Sequence, residues 1–143
     1  MDAEERIIAG NWYAIGLYAG RSPLELLPAP GVSNPVFSYR DVTDVSAIFV
    51  ADPFMIRHNE LWYMFFEAYN EHTDKGEIGV AVSVDARSWQ YRGRVLVEDF
   101  SVSYPMCSRG KARSTWCRRC TSRTACGSTG PSRFPTIGGR WRI

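Results

Sequence analysis

The run Leu61-Trp62-Tyr63-Met64-Phe65-Phe66-Glu67 restricts the fold more than any other part of this chain. It is too short for a typical helix, and four of its six apolar residues are aromatic. Read as a strand, it carries apolar side chains on both faces. A sheet with such a strand at its centre has to be covered on two sides. The fold must therefore bring other layers against it.

Strand signals dominate the neighbourhood of that run. Phe54-Met55-Ile56-Arg57 precedes it, across a turn at His58-Asn59-Glu60. The polar stretch Asn70 to Gly76 reads as a loop, with Lys75-Gly76 as its turn. Ile78-Gly79-Val80-Ala81-Val82-Ser83 is a third strand, in which Gly79 points to close approach of a neighbour. Val84 to Ser88 turns the chain, and Trp89-Gln90-Tyr91 with Val95-Leu96-Val97 makes a fourth strand, bulged at Gly93. Upstream, Trp12 to Tyr18 reads as a strand and Ser22 to Pro28 as one helical turn that the prolines stop. Asn34-Pro35-Val36-Phe37 begins extended, because a residue before proline is pushed out of the helical region. Four short antiparallel strands in about 45 residues form the repeating unit of a β-propeller, though a sandwich or partly closed barrel has the same strand count.

Composition changes abruptly near Met106. Residues 1–106 hold 8 Lys/Arg and all 15 Asp/Glu, net −7; residues 107–143 hold 9 Lys/Arg and no acid, net +9. The second part also contains all four cysteines and neither Leu nor Val. Three segments follow from this: an N-terminal extension (1–11), a partial propeller domain (12–106) and a basic Cys/Arg/Ser-rich tail (107–143). The whole-chain charge of +2 gives no reason to expect a nucleic-acid partner. No stretch approaches the roughly 18 apolar residues of a membrane span. The acidic start (Asp2, Glu4, Glu5) lacks the basic opening of a signal peptide, so a cytoplasmic location is expected. No motif calls for a cofactor, and the oligomeric state is left open.

The order of five segments adds a family likeness. They are Asn34-Pro35-Val36, Phe49-Val50-Ala51-Asp52-Pro53-Phe54, Trp62 to Glu67, Gly76-Glu77-Ile78-Gly79 with Ser83-Val84-Asp85, and Ser103-Tyr104-Pro105. Together they resemble the five-bladed propeller superfamily of arabinanases, xylosidases and invertases. A closer resemblance is to the N-terminal propeller domain of glucosamine inositolphosphorylceramide transferases and their bacterial relatives. The resemblance implies an all-β fold, a fragment of a five-bladed β-propeller with about one complete blade plus flanking strands. It also implies a carbohydrate or glycolipid head group as partner, bound in a funnel at the central axis.

Candidate site residues follow from that likeness. Asp52 occupies the place where the resembling hydrolases hold a general base, against the alternative that it caps a turn. Glu67, expected at the end of the second strand, would return to the rim beside it and bind a sugar hydroxyl or orient a partner, against the favoured alternative that it satisfies backbone donors of the next blade. Tyr104 stands in the stretch Ser103-Tyr104-Pro105, where those hydrolases carry a second Asp; the absent carboxylate counts against hydrolysis by the usual pair. His72, in a rim-side loop, is a weaker binding candidate. The aromatic residues of the central run read as core rather than as sugar-stacking faces. Three functions are in view: an accessory sugar-binding domain of a glycan- or glycolipid-assembling transferase, a glycoside hydrolase with Asp52 as base, and an interaction scaffold.

Beyond Met106 the family pattern breaks. Cys117-x-x-Cys120, with Cys107 and Cys126, offers four thiolates for zinc, but the second paired spacing is missing. A frameshift is the favoured explanation, leaving a non-native or disordered tail. The last base of the Met106 codon followed by the first two of Cys107 spells valine without choice. Trp116 before Cys117 does the same, and both valines fall where the family pattern wants them.

Overall fold

The computed structural model describes residues 13–109, 114–120 and 124–125, with side chains through Pro105. The N-terminal extension 1–11 therefore lies outside the described residues. Among those described, the chain is all-β apart from one 3-10 turn at Tyr39–Asp41. It forms three antiparallel sheets: β1 (Tyr18–Gly20) with β2 (Leu26–Pro28); then β3 (Ala47–His58), β4 (Leu61–Asn70), β5 (Lys75–Ser83) and β6 (Gln90–Leu96) in sequential order; then β7 (Val102–Arg109), β8 (Ser114–Cys120) and β9 (Thr124–Ala125).

The four-stranded sheet is the expected unit with longer strands. The β3–β4 connection is a two-residue turn in which Asn59 and Glu60 both have positive φ (47° and 65°), the geometry that matches the twist of a tight hairpin. The loop after β4 turns at Glu71–Asp74 instead of at Lys75-Gly76. Tyr69 caps that loop by donating its hydroxyl to the Asp74 carbonyl and carboxylate. Lys75 and Gly76 are drawn into β5 opposite Asn70 and Tyr69, since strand pairing continues as far as both backbones can run. The next turn closes on Asp85, whose Oδ1 accepts bonds from the Ser83 hydroxyl and the Arg87 and Ser88 amides. Those donors hold its pKa at about 2. The bulge expected at Gly93 is present: Gly93 has φ 122°, and register shifts occur between Ile78 and Gly79 and between Val80 and Ala81.

β4 is buried continuously from Tyr63 to Ala68, and its alternation divides the core in two. Met64, Phe66 and Ala68 pack with Ala81, Val50, Ile15, Phe37 and Val42 on one face. Tyr63 and Phe65 pack with Ile78, Val80, Val82, Val95 and Val102 on the other. The segment before β3 thus covers the first face and β7 covers the second. Gly79 is needed where Phe66 crosses β5, since a Cβ there would lie 2.7 Å from Phe66 Cζ. Upstream, Ser22 to Pro28 does not form a helical turn. Leu26–Pro28 pairs with β1, and among the described residues 13–18 of the other expected strand only an Ile15–Phe37 bridge and the start of β1 form.

β3 and β7 share a local design. Between Ala51↔Glu67 and Phe54↔Phe65, Asp52 and Pro53 oppose Phe66 alone; between Ser103↔Arg119 and Met106↔Cys117, Tyr104 and Pro105 oppose Arg118 alone. Two residues facing one is a β-bulge. In both, the residue before proline has positive φ, 51° at Asp52 and 53° at Tyr104. Where composition sets a boundary at Met106, β7 runs through it, and β8 and β9 lie beyond.

Candidate functional site

Glu67 and Glu77 are both buried, at 9% and 2% exposure, on opposite faces of the same sheet. Their surroundings separate a structural acid from a candidate functional one.

Glu77 has a cation. Arg94 donates to its Oε2 at 2.8 Å, while Asn70 and Thr73 donate to Oε1 at 3.0 and 3.4 Å. Arg94 also binds Asp44 at 3.2 Å, and the Tyr91 hydroxyl donates to Asp44 at 2.6 Å. Burial would raise the Asp44 pKa, but the bonds from Tyr91 and Arg94 hold it below the ordinary value. This network ties β5 and β6 to the loop ahead of β3. Its chemistry is fully used in holding the fold.

Glu67 faces another acid instead. The bulge in β3 falls at Asp52, whose carboxyl lies close enough to act on that of Glu67. Gly76 of β5 provides the space: a Cβ there would collide with the Glu67 carboxylate and come within 2.7 Å of the Val102 carbonyl oxygen of β7. Burial first, then the charge and hydrogen bond of Asp52, push the Glu67 pKa up to about 7. Such a carboxyl exchanges its proton near neutrality and can both donate and accept hydrogen bonds there. The pair lies inside its strands, not at their ends as the sequence suggests. β3 begins at Ala47 and β4 continues to Asn70, because the bulge interrupts the pairing without ending it.

The other candidates are distributed around this pair. Tyr104 occupies the equivalent bulge in β7 and is 48% exposed. His72 is exposed in the turn after β4, its amide bonded to Asn70 Oδ1. Even Asn70, where that turn begins, is about 10 Å along the strand from Glu67. Tyr63, Phe65 and Phe66 are buried core, as expected. Cys107 falls in β7 and Cys117 and Cys120 in β8, but the side chains of these three, and all of Cys126, lie outside the described residues. Among the described residues no group of three or more His, Cys, Asp or Glu could hold a metal, and no helix is long and apolar enough to cross a membrane.

Two features escape a linear reading. Gly76, assigned above to a turn, is the floor beneath Glu67; a glycine cross-strand from the acid-bearing segment was the available signal. The Arg94–Glu77 ion pair joins residues far apart in sequence, with nothing in their spacing to announce it.

A family model described as glucosamine inositolphosphorylceramide transferase 1, N-terminal, matches residues 6–113. The glucosamine inositolphosphorylceramide transferase 1 proteins of Oryza sativa (subspecies indica and japonica) are each 39% identical over 111 residues, covering 67% of this chain and 15% of theirs. The Arabidopsis thaliana protein of the same name is 33% identical over 111 residues, covering 67% of this chain and 14% of its own. The chain therefore spans about one seventh of the length of these curated relatives. By this match it belongs to the family of the N-terminal region of glucosamine inositolphosphorylceramide transferase 1.

Proposed function

We propose that residues 12–106 are a carbohydrate-handling module, the sugar-binding or accessory part of a glycolipid-assembling transferase. The observation that carries this reading is the Asp52–Glu67 carboxyl pair, placed against a neighbouring strand and with no cation bonded to it among the described residues. A pair of this kind, one acid buried and the other half-buried, suits a ligand rich in hydroxyl groups, which can both donate to and accept from carboxyl oxygens. The names of the relatives supply the ligand class: a glycolipid head group containing an amino sugar or an inositol phosphate.

The architecture we propose for the module is part of a five-bladed propeller. The Asp52-Pro53 and Tyr104-Pro105 bulges support it, because a motif repeated in the opening strands of successive sheets is what a radial repeat produces. Binding is favoured over hydrolysis because glycosidase carboxyls flank the scissile bond at about 5 Å or more. Asp52 and Glu67 are instead close enough for hydrogen bonding and charge to contribute to the raised Glu67 pKa. The basic segment from Cys107 belongs to the same proposal as out-of-frame sequence, and reading the coding DNA around the Met106 codon decides that part.

Binding to an array of glycans and glycolipid head groups tests the function. Asp52→Asn should weaken the best ligand at least about tenfold, the scale of a hydrogen bond to a charged group. Equal binding by the variant, or no ligand for the wild type, refutes the reading.

A further inference from the structure

We propose that Tyr104 is the stacking face of this same site, taking the apolar face of a pyranose ring whose hydroxyl edge meets Asp52 and Glu67. The inference rests on the carbohydrate reading above and adds the ligand's orientation and ring type.

Four observations support it. Tyr104 has φ 53°, a conformation that bulky side chains seldom adopt and that accumulates at functional sites. It sits in a bulge that repeats the one presenting Asp52, and bulges redirect the side chains they carry. Its neighbours Ser103 and Pro105 are buried, yet Tyr104 is half exposed, so its side chain reaches the surface. The carbonyl of Val102, two residues earlier on β7, lies at the Gly76 cradle that holds Glu67. Tyr104 is thus about 7 Å further along the strand that borders the acid pair.

The chemistry of the two bulges is complementary. One offers carboxyl oxygens and the other an aromatic face with a polar tip. A pyranose has both matching surfaces, hydroxyls around its edge and C–H bonds on its faces. A simple ammonium ion would meet the acids and be drawn to the ring face by cation–π attraction, but it has no C–H face to stack, so ethanolamine as a probe separates the two.

Saturation-transfer NMR on the intact 143-residue chain, with methyl β-D-glucopyranoside, D-glucosamine and ethanolamine as probes, tests the assignment. Saturation should concentrate on ring protons of one sugar face. Tyr104→Gly should weaken sugar binding about tenfold. Its thermal midpoint should hold or rise, since glycine adopts this φ without strain. Tyr104→Trp should restore binding. Unchanged sugar binding in Tyr104→Gly, or ethanolamine binding as tightly as the sugars, overturns the proposal. Loss of sugar binding in Asp52→Asn with none in Tyr104→Gly removes only the stacking role; a wild-type chain that binds no sugar removes the carbohydrate reading with it.

Discussion

Replacing Glu67 by Gln isolates the proton that the acid pair holds. Glutamine keeps the shape and can still donate to Asp52, as the protonated acid does, but it cannot ionise. In the folded chain the Glu67 pKa is about 7, against 4.5 for the free side chain. The folded state therefore holds a proton that the unfolded state releases between those values. Stability from this group is full below pH 4.5 and is lost as pH rises to about 7. At about 1.36 kcal/mol per pKa unit the loss is at most roughly 3 kcal/mol. Asp52 is only half-buried, and solvent screening on its side reduces the figure to about 1–2 kcal/mol. Thermal unfolding followed by circular dichroism at pH 5 and pH 8 reads it out. The wild type and Glu67→Gln should unfold close together at pH 5. At pH 8 the variant should be the more stable, by at least about 4 °C for a domain of this size. Asp44 and Asp85, whose depressed pKa values cost stability only in stronger acid, are common to both proteins and cancel. Parallel pH profiles for the two proteins would show that Glu67 is not a shared-proton acid.

Two further substitutions probe the surroundings of the buried acids. Gly76→Ala places a methyl group against the Glu67 carboxylate and the Val102 carbonyl, and should cost about 1–3 kcal/mol in urea unfolding, as overpacking does. Arg94→Ala removes the cation from a Glu77 that is 2% exposed and should cost about 3 kcal/mol in the same assay. A loss under 0.5 kcal/mol would mean that Asn70 and Thr73 alone satisfy that carboxylate.

The contrast between the two glutamates shows why burial alone does not mark a functional acid. Glu77 is the more deeply buried, yet its charge is neutralised by Arg94 and its oxygens are bonded from three directions. Among the described residues the charged neighbour of Glu67 is Asp52, and two carboxyls crowded together cannot both ionise freely. The second arrangement leaves a proton and hydrogen-bonding capacity available to something outside the chain.

The local vocabulary of the sequence carried the β class, the central aromatic strand, its tight Asn59-Glu60 turn, the Gly79 contact and the bulge at Gly93. Each follows from residue preferences within a few positions, and the family likeness followed from the order of such segments. Tertiary contact decided the rest. Which face of Leu61–Glu67 meets β7, that Gly76 is a floor instead of a turn, and that Glu77 finds Arg94 while Glu67 finds Asp52 depend on strands meeting across tens of residues. A carboxyl group's proton affinity depends on its neighbours in space, so the chain alone can name Asp52 and Glu67 but only the folded sheets make them a pair.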